Sequence, residues 1–72
     1  MTIAEYRNSL GMTQEAFAAA LNLKSKGHLS DMERANRASP EVALAIEAHS
    51  GGLLDASALN PVIAQARQGM AA

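Results

Sequence analysis

Large apolar side chains recur along this chain at intervals of three and four, with no stretch that alternates as a half-buried strand would. Ile3, Tyr6 and Leu10 form the first series, opened by Thr2 and Glu5 at capping-box spacing and closed by Gly11. Thr13 then caps QEAFAAAL, an alanine-rich segment with Glu15 in its first turn and Phe17 and Leu21 as a four-apart pair. Its small residues allow a neighbouring helix to come close, and Asn22 can take the left-handed conformation that ends it. Ser25 caps a third helix over about 26–34, in which only Leu29 and Met32 are large and apolar. Two such side chains three apart give one narrow buried stripe and leave the rest of SKGHLSDMER polar.

ANRAS is a short polar connection, after which Ser39-Pro40-Glu41 places a cap, a first-turn proline and an acid in order. Val42, Ala45, Ile46 and His49 define the expected inner face of a fourth helix, with His49 partly buried against backbone, and Gly51-Gly52 stops it. LLDASAL reads as a looser stretch. Asn60-Pro61 then opens a last helix, PVIAQARQ, that ends near Gly69. The pattern predicts an all-α fold of five short helices.

Seventy-two residues allow one small core and no large pocket. Without cysteine there is neither a disulfide framework nor a thiolate metal site, and the two histidines lack accompanying carboxylates at ligand spacing, so no cofactor or metal is expected. MTIAEYRNSL has neither a basic leader nor an apolar run of signal length, and no 18 consecutive residues are apolar, which points to a soluble, cytoplasmic protein with no membrane partner. The net charge of −1 hides a segregation. Lys24, Lys26, Arg34 and Arg37 against Asp31 and Glu33 make residues 24–37 positive by two, whereas Arg7 and Arg67 against Glu5, Glu15, Glu41, Glu47 and Asp55 leave the remainder negative by three. The polar third helix therefore lies in the positive segment.

A connection of about four residues between the second and third helices forces a sharp turn, the helix-turn-helix arrangement. The residues there carry a further likeness. TQEAFAAALNL, SKGHLSDMERA and Ser39-Pro40 resemble, over about residues 3–54, the Xre-type helix-turn-helix domains of phage Cro and repressor proteins. Ala18 stands at that family's small helix-contact position, Leu23 and Leu29 at aliphatic core positions, and Glu33 at its acid. Asn22 and Ala35 stand where the family has glycines, and the interval from Leu23 to Leu29 is one residue longer than its usual one.

The resemblance implies a helix-turn-helix DNA-binding domain at 1–54 and a C-terminal helical extension at 55–72, a possible dimerisation element. It also explains the polar helix: a recognition helix needs apolar residues only on its rear stripe and hydrogen-bonding groups toward the major groove. Leu29 and Met32 are that stripe. The candidate DNA-binding residues are Gln14, Ser25, Lys26, Gly27, His28, Ser30, Asp31, Arg34, Asn36 and Arg37. Lys26 can reach guanine O6 and N7 or a phosphate, Asp31 can accept from a cytosine amino group, and Ser30 suits either partner. Arg34 serves backbone or guanine, His28 faces DNA or solvent, and Gly27 permits close backbone approach. Gln14 at the start of the second helix is a phosphate contact by family resemblance, with free backbone N–H groups to help it. Asn36 and Arg37 are backbone clamps, and Arg67 an ordinary surface charge.

Arg7 and Glu33 both flank apolar faces, where an unpaired charge is costly, so they are expected to pair and to tie the first helix to the third. The family has an arginine and a glutamate in that role. Val62, Ile63 and Ala66 offer either a homodimer interface or a surface that folds back on the chain's own core; LLDASALNP resembles the tail of some phage Cro-like proteins. A dimer spanning two half-sites about one turn apart is the expected form, because one module makes few contacts. The expected partner is double-stranded DNA, with no small-molecule ligand, and the expected role that of a transcriptional regulator, in particular a repressor, of which an antitoxin is a variant. The competing reading is an adaptor or inhibitor that keeps the scaffold without binding DNA, favoured by the net charge of −1 and by Asp31. Catalysis is not expected: there is no nucleophile with a base, no metal spacing and no phosphate loop, and Ser30, His28 and Asp31 diverge from one helix.

Overall fold

A computed structural model describes residues 1–71, and side chains through Gly69. The described residues form six helices and no strand, in two compact units, Met1–Asn36 and the residues from Arg37 onward. The first unit holds α1 (Ile3–Ser9), α2 (Gln14–Ala20) and α3 (Lys26–Ala35); the second holds α4 (Pro40–His49), α5 (Ala56–Leu59) and α6 (Pro61–Ala71). No described helix is long and apolar enough to cross a membrane.

Each of the first four helices begins at the expected cap, since a side-chain oxygen held in extended backbone satisfies an orphan N–H three residues on. Thr2 accepts from the Glu5 amide while the Glu5 carboxylate accepts from the Thr2 amide at 2.8 Å, completing the capping box. Hydrogen bonding to the carboxylate itself, first from the Thr2 backbone and then from the Thr2 side chain, holds the Glu5 carboxyl below its ordinary value. Thr13, Ser25 and Ser39 accept from the amides of Ala16, His28 and Val42.

In the first unit Ile3 and Tyr6 from α1, Phe17, Ala18 and Leu21 from α2 and its end, and Leu29 and Met32 from α3 are buried. The Tyr6 ring meets Phe17 edge-on, with centroids 5.9 Å apart. Full burial of Phe17, Ile3 and Leu29 is worth about 1.5–3 kcal/mol each, and truncation of Phe17 to alanine would cost about 3–5 kcal/mol. Asn22 adopts φ 59, the left-handed turn the sequence allows it, and Leu23 folds back so that its amide donates to the Ala18 carbonyl at 2.8 Å. At the end of α3 the left-handed residue is Asn36, φ 51, one position after the alanine that replaces the family glycine.

In the second unit Ala38, Ala43, Ile46, Leu54, Ala56, Leu59 and Ile63 are buried. Three expectations are corrected here. LLDASAL is not merely loose: its second half is α5, capped by Asp55, whose Oδ1 accepts from the Ser57 amide at 2.8 Å. The inner positions of α4 are Ala43 and Ile46, whereas Ala45 and His49 are exposed. In α4 Ala43 and Ala45 alternate with Val42, Leu44 and Ile46, so apolar residues point in every direction and do not single out an inner face. Arg67 is not an isolated surface charge. Its guanidinium donates to both Glu47 oxygens at 3.0 and 2.8 Å, to Asp55 Oδ1 at 2.9 Å and to Ser57 Oγ at 3.2 Å, joining α6 to α4 and to the start of α5. The pairing with Arg67 lowers the Glu47 carboxyl and raises the arginine.

Ile63 packs inward, while Val62 is 63% exposed and Ala66 is also exposed, so α6 folds back through one of the three residues considered for a dimer interface. Asn60 anchors the entry to α6. Its Oδ1 accepts from the Val62 and Ile63 amides, and its Nδ2 donates to the Ala38 carbonyl at 2.9 Å.

Candidate nucleic-acid interface

Of the candidate DNA-binding residues singled out in the sequence, all but Arg37 lie on α2, on α3 or at the two caps of α3, within the first unit. Lys24, Ser25, Lys26, Gly27 and His28 are five successive exposed residues, and Asp31 and Arg34 are exposed further along α3. Ser30 is half-buried, and Leu29 and Met32 are the buried stripe. With 3.6 residues per turn, Gly27, Ser30, Asp31 and Arg34 fall at i, i+3, i+4 and i+7 and form one outward row. Asp31 and Arg34 lie 3.6 Å apart on that row, a solvent-screened pair that contributes little and opens readily to other partners. Ser25 uses its hydroxyl to cap α3, so its part is first to start the helix that carries the others. Arg37 is exposed at the beginning of the second unit.

An open groove of about 400 Å³ runs beside the start of α3. Ala18, Ala19 and Leu23 give it an apolar floor, and Lys24 and Lys26 line it together with Glu15. No group of three or more histidine, cysteine or acidic residues able to hold a metal occurs among the described residues.

Behind the exposed row, one carboxylate holds three helices together. Glu33 Oε2 accepts from Arg7 Nε at 2.6 Å, and its Oε1 accepts from Arg7 Nη2 and from Gln14 Nε2, each at 3.1 Å. Arg7 Nη1 also donates to the Met12 carbonyl at 2.9 Å, just before the cap of α2. The expected pairing is therefore present, with the Glu33 side chain 7% and the Arg7 side chain 14% exposed. Burial by itself would raise the Glu33 carboxyl, but the hydrogen bonds from Arg7 and then Gln14, with the arginine's charge, hold it below its ordinary value. The same bond raises Arg7, against the opposing effect of burial.

Two candidate DNA contacts prove to have work inside the fold. Gln14, at the first position of α2 and half-buried, is bonded to Glu33; an amide has two donor hydrogens and an acceptor, so this bond sets the amide's direction and leaves capacity for an outside partner. Asn36 closes α3 in the left-handed conformation, and its Oδ1 accepts from the Ile3 amide at 3.0 Å. Neither bond is legible in the sequence, since the partners, the Glu33 carboxylate and the Ile3 backbone amide, are 19 and 33 positions away. The Arg67 cluster did leave a signal: Arg67 is the only basic residue after Arg37, in a segment with three acids.

Neither the curated proteins nor the solved structures yield a match. A family model described as helix-turn-helix does match, over residues 3–49, which take in α1 to α4 and the whole exposed row. The match spans well over half of the chain, and this chain belongs to that family, the Xre-like helix-turn-helix family found in Cro and CI repressors.

Proposed function

We propose that this chain is a sequence-specific regulator of transcription that binds double-stranded DNA, laying α3 in the major groove, and that it acts in the cytoplasm as a repressor. The observation that carries the proposal is the division of α3 into a buried stripe of Leu29 and Met32 and an outward row beginning at its exposed, lysine-flanked N-terminus. Recognition helices meet base edges with their N-terminal residues. Lys26, Ser30, Asp31 and Arg34 offer the donors and acceptors that base edges and phosphates take, while Lys24, Gln14 and Arg37 supply backbone contacts.

Residues 1–54 serve as the DNA-binding domain and 55–72 as an extension that contributes to a homodimer. Supporting the dimer are Leu44, Leu53 and Val62, large apolar side chains of the second unit that stand exposed. A dimer that neutralises about six phosphates loses affinity with added salt, with log K against log salt sloping near −5.

Gel shifts against the DNA upstream of the protein's own gene, with a salt titration, test this reading. Lys26→Glu is expected to abolish retention of the duplex while leaving the fold intact. Binding that ignores salt, or that survives Lys26→Glu unchanged, would favour an adaptor that meets a protein partner instead, a role for which Asp31 and Glu15 among the lysines supply mixed charge.

A further inference from the structure

Three of the glycines are explained by their backbone: Gly11, Gly51 and Gly52 have φ of 68, 62 and 88. Gly27 has no such reason. It lies inside α3 without a positive φ, and a Cβ built on it would meet only Ser25 Oγ, at an ordinary 3.8 Å. Glycine weakens a helix relative to alanine, and nothing else among the described residues lies within 4 Å of the space it leaves. Gly27 is the first member of the outward row, two residues before Leu29 and so about 200° around the helix from that buried side chain. The leading turn of α3 thus presents bare backbone, between the exposed Lys26 and His28, at the point where the row begins.

We infer that Gly27 sets how deeply α3 enters the major groove: a base-pair edge comes against the backbone at residue 27, closer than a methyl group would allow. Ser30 and Asp31, one turn later on the same row, reach base edges only at that depth. Gly27 is in this sense a positioning residue for specificity. The inference rests on the DNA-binding reading above, and it assigns stability and specific binding opposite responses to one methyl group.

The test pairs Gly27→Ala with Gly69→Ala, a change on α6 at a second helical glycine where an added Cβ meets nothing within 4 Å. Duplexes selected by the wild-type protein from a randomised pool serve as the specific probe, and an unrelated duplex as the other. Gly27→Ala should keep or raise Tm, bind the selected duplex at least tenfold more weakly, and bind the unrelated duplex as the wild type does. Gly69→Ala should keep or raise Tm, which sets the stability change that a methyl group brings to a helical glycine of this chain. Specific affinity within twofold of wild type for Gly27→Ala overturns the inference, and so does a fall in its Tm, which would give the glycine an internal role. If the wild type selects no duplex at all, the failure lies with the DNA-binding reading itself.

Discussion

Replacing Arg7 by alanine removes every guanidinium bond at the junction of the first three helices. Glu33 loses its 2.6 and 3.1 Å bonds to the arginine and keeps Gln14 Nε2, and the Met12 carbonyl loses its donor. With only 7% of its side chain exposed, the carboxylate cannot recover the difference from water. Breaking a buried ion pair from one side costs about 3 kcal/mol or more. A chain of 72 residues has roughly 4–11 kcal/mol of stability in all, so the loss is a large share of it. At about 4–8 °C per kcal/mol for a domain of this size, Tm should fall by roughly 15 °C.

Tyr6, the chain's one tyrosine, is packed against Phe17 in the same unit, so its fluorescence reports this loss directly during thermal unfolding. The pH dependence gives an independent sign. In the wild type the Glu33 carboxyl is held below its ordinary value, so the stabilisation is complete above the unfolded value, about 4.3, and disappears as pH falls through the folded one. Without Arg7 the dominant remaining influence is burial, which favours the protonated acid, so the gap between variant and wild type should narrow as pH is lowered from 7 toward 3. A paired Arg7→Met, Glu33→Leu replacement should restore most of the lost stability, because no buried charge is left alone. A fall in Tm of less than about 4 °C, equivalent to under about 1 kcal/mol, refutes the burial-and-pairing account.

Asn36→Ala should cost about 1–3 kcal/mol, since it removes the acceptor of the Ile3 amide and puts a Cβ-bearing residue without a local side-chain bond at φ 51; Asn36→Gly, free of the backbone penalty, should lose less, and chemical denaturation ranks the two. Arg67→Ala should lower Tm by only a few degrees, because the guanidinium is 43% exposed, and the difference should shrink in 1 M salt as screening weakens the pairs with Glu47 and Asp55; a salt-independent loss would mean that packing of its stem matters more.

Local chemistry made most of the fold legible. Thr2, Thr13, Ser25 and Ser39 announce their helices because a cap and the amide it serves lie within three residues of one another. Asn22 is legible for a similar reason, as few residues tolerate a left-handed turn. The Arg7 and Glu33 pairing spans 26 positions, yet each charge betrays itself by standing beside an apolar stripe. What escapes is where neither periodicity nor burial discriminates. Four residues of α5 are too few to show a period, the alanines of α4 do not say which of them turns inward, and the polar reach of Gln14 and Asn36 is a matter of tertiary placement. The exposed row of α3 is legible in outline because only two of its residues are large and apolar, but the open space beside Gly27 among the described residues is a property of the folded chain alone.

The length of α3 is fixed at both ends, by Ser25 at its start and by left-handed Asn36 at its finish. Ten residues span about 15 Å, and base pairs stack at about 3.4 Å, so one such rod can address only about four steps of a duplex. A four-letter word recurs by chance roughly once in 250 positions, far too often to mark one location among the million or more a genome offers. On the proposed DNA-binding reading, a single copy of this helix spells only a syllable, which is the reason that reading includes a second copy.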